Sequence, residues 1–455
     1  MNETMIPLYE EICRLLKEKR FVSLRLLLAE ARPVDIAEII EELEETNPQD
    51  SLLLFRLLPK DLASDVFSYL PPGQQRNIVD ALHENQLKNI VEALNFDDKI
   101  DFLEELPANV VKKILKNVTD EERKLINQFL NYPDYSAGSL MTIEYVDLKK
   151  EMTVEEALTH IRSTGPDKET IYTCYVLNET RKLQGIISLR KLVLSEASAR
   201  IEDIMDEELI MATTWDDQEE VADLFKKYDL MTLPVVDQEG RLVGIITIDD
   251  IVDVIEQENT EDFERMAALL PDEQEYLDSS ILSMAKKRIP WLMVLMISAT
   301  FTGGIISRFE DVLQAMVVLA AAIPMLMDTA GNAGNQSSTL VIRGIALGEI
   351  ELSDYWQVLW KEFRISILVG VMLAFVNFLR MLVIVDTGWL VSVTVSITLA
   401  LTVVMAKICG GLLPIFAKRM KLDPAIMAGP LITTIVDAMA LVVYFNVAVL
   451  LLGIQ

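Results

Sequence analysis

Residues 425–454 read AIMAGPLITTIVDAMALVVYFNVAVLLLGI, and Asp437 is the single charged residue among them. A run of this length is long enough to cross a bilayer as a helix. An ionised carboxylate near mid-bilayer costs roughly 2.5–3.5 kcal/mol on insertion scales. Asp437 lies about a dozen residues from either end, roughly 18 Å at helical rise, too far for so short a side chain to snorkel. It is therefore either a protonated carboxyl bonded to a neighbouring helix or, the preferred reading, a carboxylate facing a water-filled cation path. Pro430 cannot donate a backbone hydrogen bond, so a helix running through it would free the carbonyl of Ile426. Gly429, Thr433 and Thr434 add small or polar groups nearby.

Four further stretches are long and apolar enough to span: 289–307, 312–340, 363–385 and 390–416. The second contains AIPMLMDTAGNAGNQSSTLVIRG, whose small residues permit close helix approach. Asn332 and Asn335 stand three apart there, with Asp328 one turn earlier, placing amide and carboxylate oxygens on one face. Lys407 lies within the fourth stretch with no evident role. Bases gather on one side (Lys286, Lys287, Arg288, Arg343, Lys361, Arg364, Lys418, Arg419, Lys421), with Arg308 and Arg380 on the other. The positive-inside rule then places everything before the first span in the cytoplasm and the C-terminus outside a cell membrane. Five spans without internal repeat favour a pore on the axis of a homodimer over one within a protomer.

The 455 residues carry a formal charge of −29. Ten acids and twelve bases follow residue 282, so the apolar half is near +2 and the preceding part near −31. Such an acidic domain attracts divalent cations and argues against nucleic acid or an anionic lipid surface as partner. Three scattered cysteines offer neither a disulfide framework nor metal spacing, and the acidic start does not read as a signal peptide. His83 and His160 are expected to serve packing or surface roles. No nucleophile–base pair and no Walker loop is visible, so an enzyme is not expected.

From residue 20 to 118 a unit of about twelve residues recurs (PVDIAEIIEEL, PQDSLLLFRLL, PKDLASDVFSYL, PGQQRNIVDAL, ENQLKNIVEAL, FDDKIDFLEEL). Each opens on Pro or a polar cap and continues with helical period, predicting short stacked helices in a superhelix. Such a stack most simply serves as a protein-binding scaffold, although Asp97, Asp98 and Asp101 form an acidic cluster expected to be exposed. Residues 139–256 repeat once in about sixty, each copy reading helix, strand, turn, strand, helix, with Gly185 and Gly244 before β-branched strands. The segments TLPVVD and GIITIDD resemble a tandem CBS pair. That resemblance implies ligand sensing, with Thr247 and Asp250 matching a ribose-binding Thr/Ser and Asp, and so ATP as a candidate regulatory ligand; Ser188 and Lys191 in the first copy depart from the pattern. The helix DDIVDVIEQENTEDFERM that follows stacks like charges at helical spacing, which reads either as a solvated linker face or, more sharply, as a stripe that divalent ions such as Mg2+ neutralise.

This order of segments, with GNAGNQSSTLVIRG and GPLITTIVDAMALVVYF, resembles the MgtE family of magnesium channels along essentially the whole chain. The resemblance implies a multi-domain membrane protein: an α-helical superhelix (1–130), an α/β CBS pair (131–256), an acidic connecting or plug helix (249–283) and an all-α five-helix membrane domain (284–455). It implies a homodimer in the lipid bilayer, with no obligatory protein partner evident and no nucleic acid. Its pore, lined by the second and fifth spans, would hold hydrated Mg2+ at Asp437, helped by Asn332, Asn335 and Asp328. Regulatory Mg2+ is implied at Asp97 and Asp101, at Glu219, Asp229, Asp250 and Asp253, at Glu258, Glu261 and Asp262 of the plug helix, and at Asp423. The rival expectation is a proton-coupled or broader divalent-cation (Mn2+, Co2+) carrier tuned by nucleotide, and the bland one a membrane-anchored CBS scaffold.

Overall fold

The computed structural model describes residues 5–82, 84–91, 93–104, 106, 108–115, 118–271, 276, 279–385 and 388–453. His83 lies outside them. The chain divides into two compact units, Met1–Ile255 and Glu256–Gln455.

The first unit begins with ten short helices among the described residues, from Ile6–Lys17 to Asp120–Phe129. Helices of 8 to 14 residues such as Phe21–Leu28 and Pro33–Thr46 are too short to persist alone, so lateral stacking must stabilise them. Prolines open the helices at Pro33, Pro48 and Pro72, where the missing N–H costs nothing. Each helix turns its apolar stripe inward, and Phe67 meets Phe102 edge-on at 5.0 Å. The core runs without a break from Ile36, Phe67 and Phe129 of these helices into Ala137, Met141, Val221 and Phe225 of the following repeat. The superhelix and the paired repeat thus pack as one body.

Each copy of that repeat is a three-stranded sheet, in the orders β1 (Val146–Leu148), β2 (Thr173–Leu177), β3 (Leu183–Ser188), and β4 (Ala212–Thr213), β5 (Thr232–Val236), β6 (Leu242–Thr247). The first strand pairs parallel and the last antiparallel in both. The expected pattern of helix, strand, turn, strand, helix omitted β1 and β4, which at three and two residues are too short to carry a period-two signal. Both sheets bulge at the same place, Val176/Leu177 and Val235/Val236. A Cβ at Gly185 would lie 2.7 Å from Met205 Sδ, and one at Gly244 2.7 Å from the carbonyl of Thr142. These two glycines admit the crossing chain on which the copies clasp each other. Tyr175 Oη donates to Thr232 Oγ1 across the pair at 2.9 Å.

The second unit holds five apolar helical spans among the described residues, at Ile281–Arg308, Val317–Ala346, Leu352–Val385, Trp389–Arg419 and Pro424–Leu452. All five begin earlier or end later than hydropathy predicts because helix continues past the apolar window; the second also begins five residues later, at Val317, and runs on to Ala346. Spans two, four and five share a core built on Leu326, Ala330, Val403, Val436 and Tyr444. Span one buries none of its apolar window within this chain.

Candidate functional site

Spans two, four and five approach closely where side chains are absent. A Cβ at Gly331 would lie 2.8 Å from Thr433 Cγ2, one at Gly334 3.3 Å from the carbonyl of Ala406, and one at Gly410 2.1 Å from the carbonyl of Gly334. Span five does not run straight through this contact. It opens as a 3-10 turn at Pro424–Met427, breaks at Ala428, and starts its α-helix at Gly429. Pro430 is thus the second residue of a helix rather than a mid-helix break, which corrects the expectation that it frees the Ile426 carbonyl. The polar break is closed from span two: Asn335 Oδ1 accepts from Gly429 N at 2.8 Å, and Ser338 Oγ donates to the carbonyl of Met427 at 2.7 Å. Gly429 adopts φ +52°, and a Cβ there would lie 2.3 Å from the carbonyl of Met266. Both facts require glycine.

Asp437 lies two turns beyond this break and is half-buried. Its Oδ1 is enclosed, and among the described residues no donor reaches it. Asp328 and Asn332 are exposed on span two, where Asn332 Nδ2 donates to Asp328 Oδ1 at 3.2 Å, and the charge of Asp328 reaches Asp437. Asn335, expected to offer its oxygen to an ion, instead caps span five with it, keeping one lone pair for anything else.

At the start of span five Asp423 caps the 3-10 turn, accepting from Ala425 N at 2.7 Å. The connecting helix is Ile248–Met266, and its Arg265 donates to both Asp423 and Glu261. Asp262 stands beside them, pushed up to about 6 by burial and then by the charge of Asp423. Arg265 was missed in the sequence, although it is the lone base in an acidic stretch and stands four residues after Glu261. Glu258 is half-buried on the same helix.

In the first unit Asp97 and Asp98 are half-buried, which corrects the exposed cluster expected there; Asp101 keeps an exposed edge. Their neighbours are Glu144, Glu169, Asp249 and Asp250 of the paired repeat. Burial, and then this mutual repulsion, pushes Asp98, Asp101 and Glu169 up to about 7. Asp250 is pushed by the same causes to about 7 although Thr247 Oγ1 donates to it at 2.7 Å. Asp97 and Glu144 are also raised by burial. A cavity of about 370 Å³ lined by Ser68, Gln75, Asp98, Asp101 and Glu104 opens beside them. Among the described residues no three His, Cys, Asp or Glu are set to hold a metal ion directly. The donor set still fits Mg2+, which keeps several waters and needs only one or two carboxylates. Glu219 and Asp229 are exposed at opposite ends of the helix Gln218–Tyr228, and Asp253 is exposed further on, so one chain does not gather Glu219 with Asp229.

An acidic, helical and CBS-like first unit, followed in the chain by five spans that enclose a carboxylate, defines a membrane transport protein, and comparison with known proteins agrees. Residues 323–447 match the family described as divalent cation transporter, 31–135 the MgtE intracellular N domain, and 137–197 and 201–257 the CBS domain. The magnesium transporter MgtE of Thermus thermophilus is 40% identical over 96% of this chain and 99% of its own. That of Bacillus subtilis is 33% identical, covering 98% of each. A crystal structure of the cytosolic domain of the Mg2+ channel MgtE in complex with ATP matches 54% of this chain and 99% of its own, at 36% identity and TM-score 0.52. The chain belongs to the MgtE family of divalent cation transporters.

Proposed function

We propose that two copies of this chain form a magnesium-selective channel in the cell membrane that imports Mg2+ down its electrochemical gradient and closes when cytosolic Mg2+ is high. The observation that carries the reading is Asp437, whose enclosed Oδ1 meets no donor among the described residues. An oxygen so placed suits the waters of a hydrated cation, and two such carboxylates across a dimer axis would favour a divalent ion by charge. The membrane potential supplies about 2.3 kcal/mol per charge per 100 mV, so inward flux needs no nucleotide hydrolysis. Asp328 and Asn332 extend the polar face toward one end of the path.

Closure is assigned to the carboxylates. Without metal, the seven crowded acids between superhelix and CBS pair repel one another, and Asp262 repels Asp423. Mg2+ bridging them through its waters would favour the docked arrangement, and an ion bound by that arrangement alone shifts the balance by its differential affinity. Glu219, Asp229 and Asp253 are proposed as further regulatory carboxylates of the CBS pair. ATP is proposed as a regulatory ligand of the second CBS copy, where Thr247 and Asp250 stand together as the ribose motif requires. The relatives' names support magnesium as the transported ion, and the ATP complex of the matched cytosolic domain supports the nucleotide.

The test is uptake of Mg2+ into proteoliposomes. Asp437→Asn should abolish it while the protein elutes as wild type; normal uptake would remove the pore assignment. Flux that follows the pH gradient rather than the Mg2+ gradient would favour the proton-coupled carrier instead.

A further inference from the structure

Three residues in the membrane spans are used by nothing above. Lys407 of span four, Ser337 of span two and Glu362 of span three are 5%, 1% and 7% exposed. The Ser337 hydroxyl accepts from Lys407 Nζ at 3.4 Å and donates to Glu362 Oε2 at 2.6 Å. One hydroxyl thus bridges a buried cation and a buried carboxylate from three different spans. The site is sterically prepared: a Cβ at Gly411 would lie 2.9 Å from Glu362 Cγ, and one at Gly410 would strike the carbonyl of Gly334. Two bare positions on span four therefore admit Glu362 on one side and span two on the other.

The direction of Ser337 matters more than its burial. At about 100° per residue, nine residues after Asp328 place it about 180° round the helix from that carboxylate. Asn332 and Asn335 fall within about 40° of Asp328 by the same count. The bridge therefore grips the back of the helix whose front presents Asp328 and Asn332 and whose Asn335 caps span five. Ser338, one residue on, bonds the Met427 carbonyl at the break in that span.

We propose that Lys407, Ser337 and Glu362 are positioning residues: their bridge sets the axial rotation of span two, and with it the polar face offered to the permeating ion. The proposal rests on the reading of spans two and five as the ion path. A rotation of span two would move Asp328 and Asn332 away from Asp437 and shift the Asn335 bond to Gly429. Selectivity and ion affinity would then change even where the helices remain assembled.

The test uses the full chain in proteoliposomes, with Mg2+ and Mn2+ as probe ions. Ser337→Ala removes only the bridging hydroxyl. Lys407→Met combined with Glu362→Gln removes both charges together, leaving no lone buried ion. Each variant is measured for half-saturating Mg2+, for the Mg2+ to Mn2+ uptake ratio, and for melting and elution profile. The expected result is at least a three-fold change in half-saturation or uptake ratio in properly folded Ser337→Ala, with the same direction of change in the double variant. A lowered melting temperature with wild-type half-saturation and ratio would overturn the proposal, since it would leave the cluster a plain anchor. Should the double variant not fold, Ser337→Ala decides alone. The ion-path reading fails separately, by Asp437→Asn retaining uptake.

Discussion

Binding of Mg2+ to the acidic cleft of the first unit should release protons near neutral pH, and the number follows from the structure. Asp98, Asp101, Glu169 and Asp250 are each pushed up to about 7. An unfolded Asp or Glu titrates near 4, so between about pH 4 and 7 the folded cleft holds protons that the unfolded chain has lost. Stability contributed by the cleft therefore rises as pH falls from about 7 toward 4 and is lost as pH rises through 7. Groups with pKa about 7 are half protonated at pH 7, so the four hold about two protons between them, falling to about 0.4 at pH 8. Metal that takes their place should displace about that many. The assay is calorimetric titration of MgCl2 into the detergent-solubilised chain, in buffers of different ionisation enthalpy at each pH. The slope of observed heat against buffer ionisation enthalpy counts protons. About two are expected at pH 7 and fewer than one at pH 8, with Mg2+ binding tighter at the higher pH. Asp98→Asn with Asp250→Asn should leave no more than about one at pH 7, since it also removes charges that raise Asp101 and Glu169. A zero slope at pH 7, or Mg2+ affinity that improves on acidification, would refute the reasoning.

Other substitutions probe other contacts. Arg265→Gln strips Asp423 and Glu261 of their guanidinium; for a partly exposed pair this is worth about 1 kcal/mol, or roughly five-fold in the docking equilibrium. Channel recordings should then show higher open probability at low Mg2+, with closure restored at high Mg2+. Gly429→Ala combines a positive φ with the Met266 carbonyl in its way, and should lower stability by about 1–3 kcal/mol in a melt monitored by tryptophan fluorescence. Gly410→Ala forces a methyl against the Gly334 carbonyl; overpacking of about 1–3 kcal/mol or more should appear as lost monodisperse protein on size exclusion.

Much of this protein follows from composition and period alone. Apolar length marks the five spans, a lone carboxylate marks Asp437, and the sixty-residue echo marks two sheets, because each signal lies within one local segment. The acids of 97–101 and 249–262 are equally legible as residue types. Their partners are not. Arg265 finds Asp423 across 158 residues, and Lys407 meets Ser337 across 70. Glu144 and Glu169, unremarkable in the chain, join the cleft only when the superhelix packs on the paired repeat. Asn335 looked like an ion ligand by spacing, yet its oxygen caps Gly429 because span five breaks beside it. Local sequence determines which groups are costly to bury and which segments must be helical. Only close packing decides which distant group relieves each cost, since hydrogen-bond reach is about 3 Å and no periodicity encodes it.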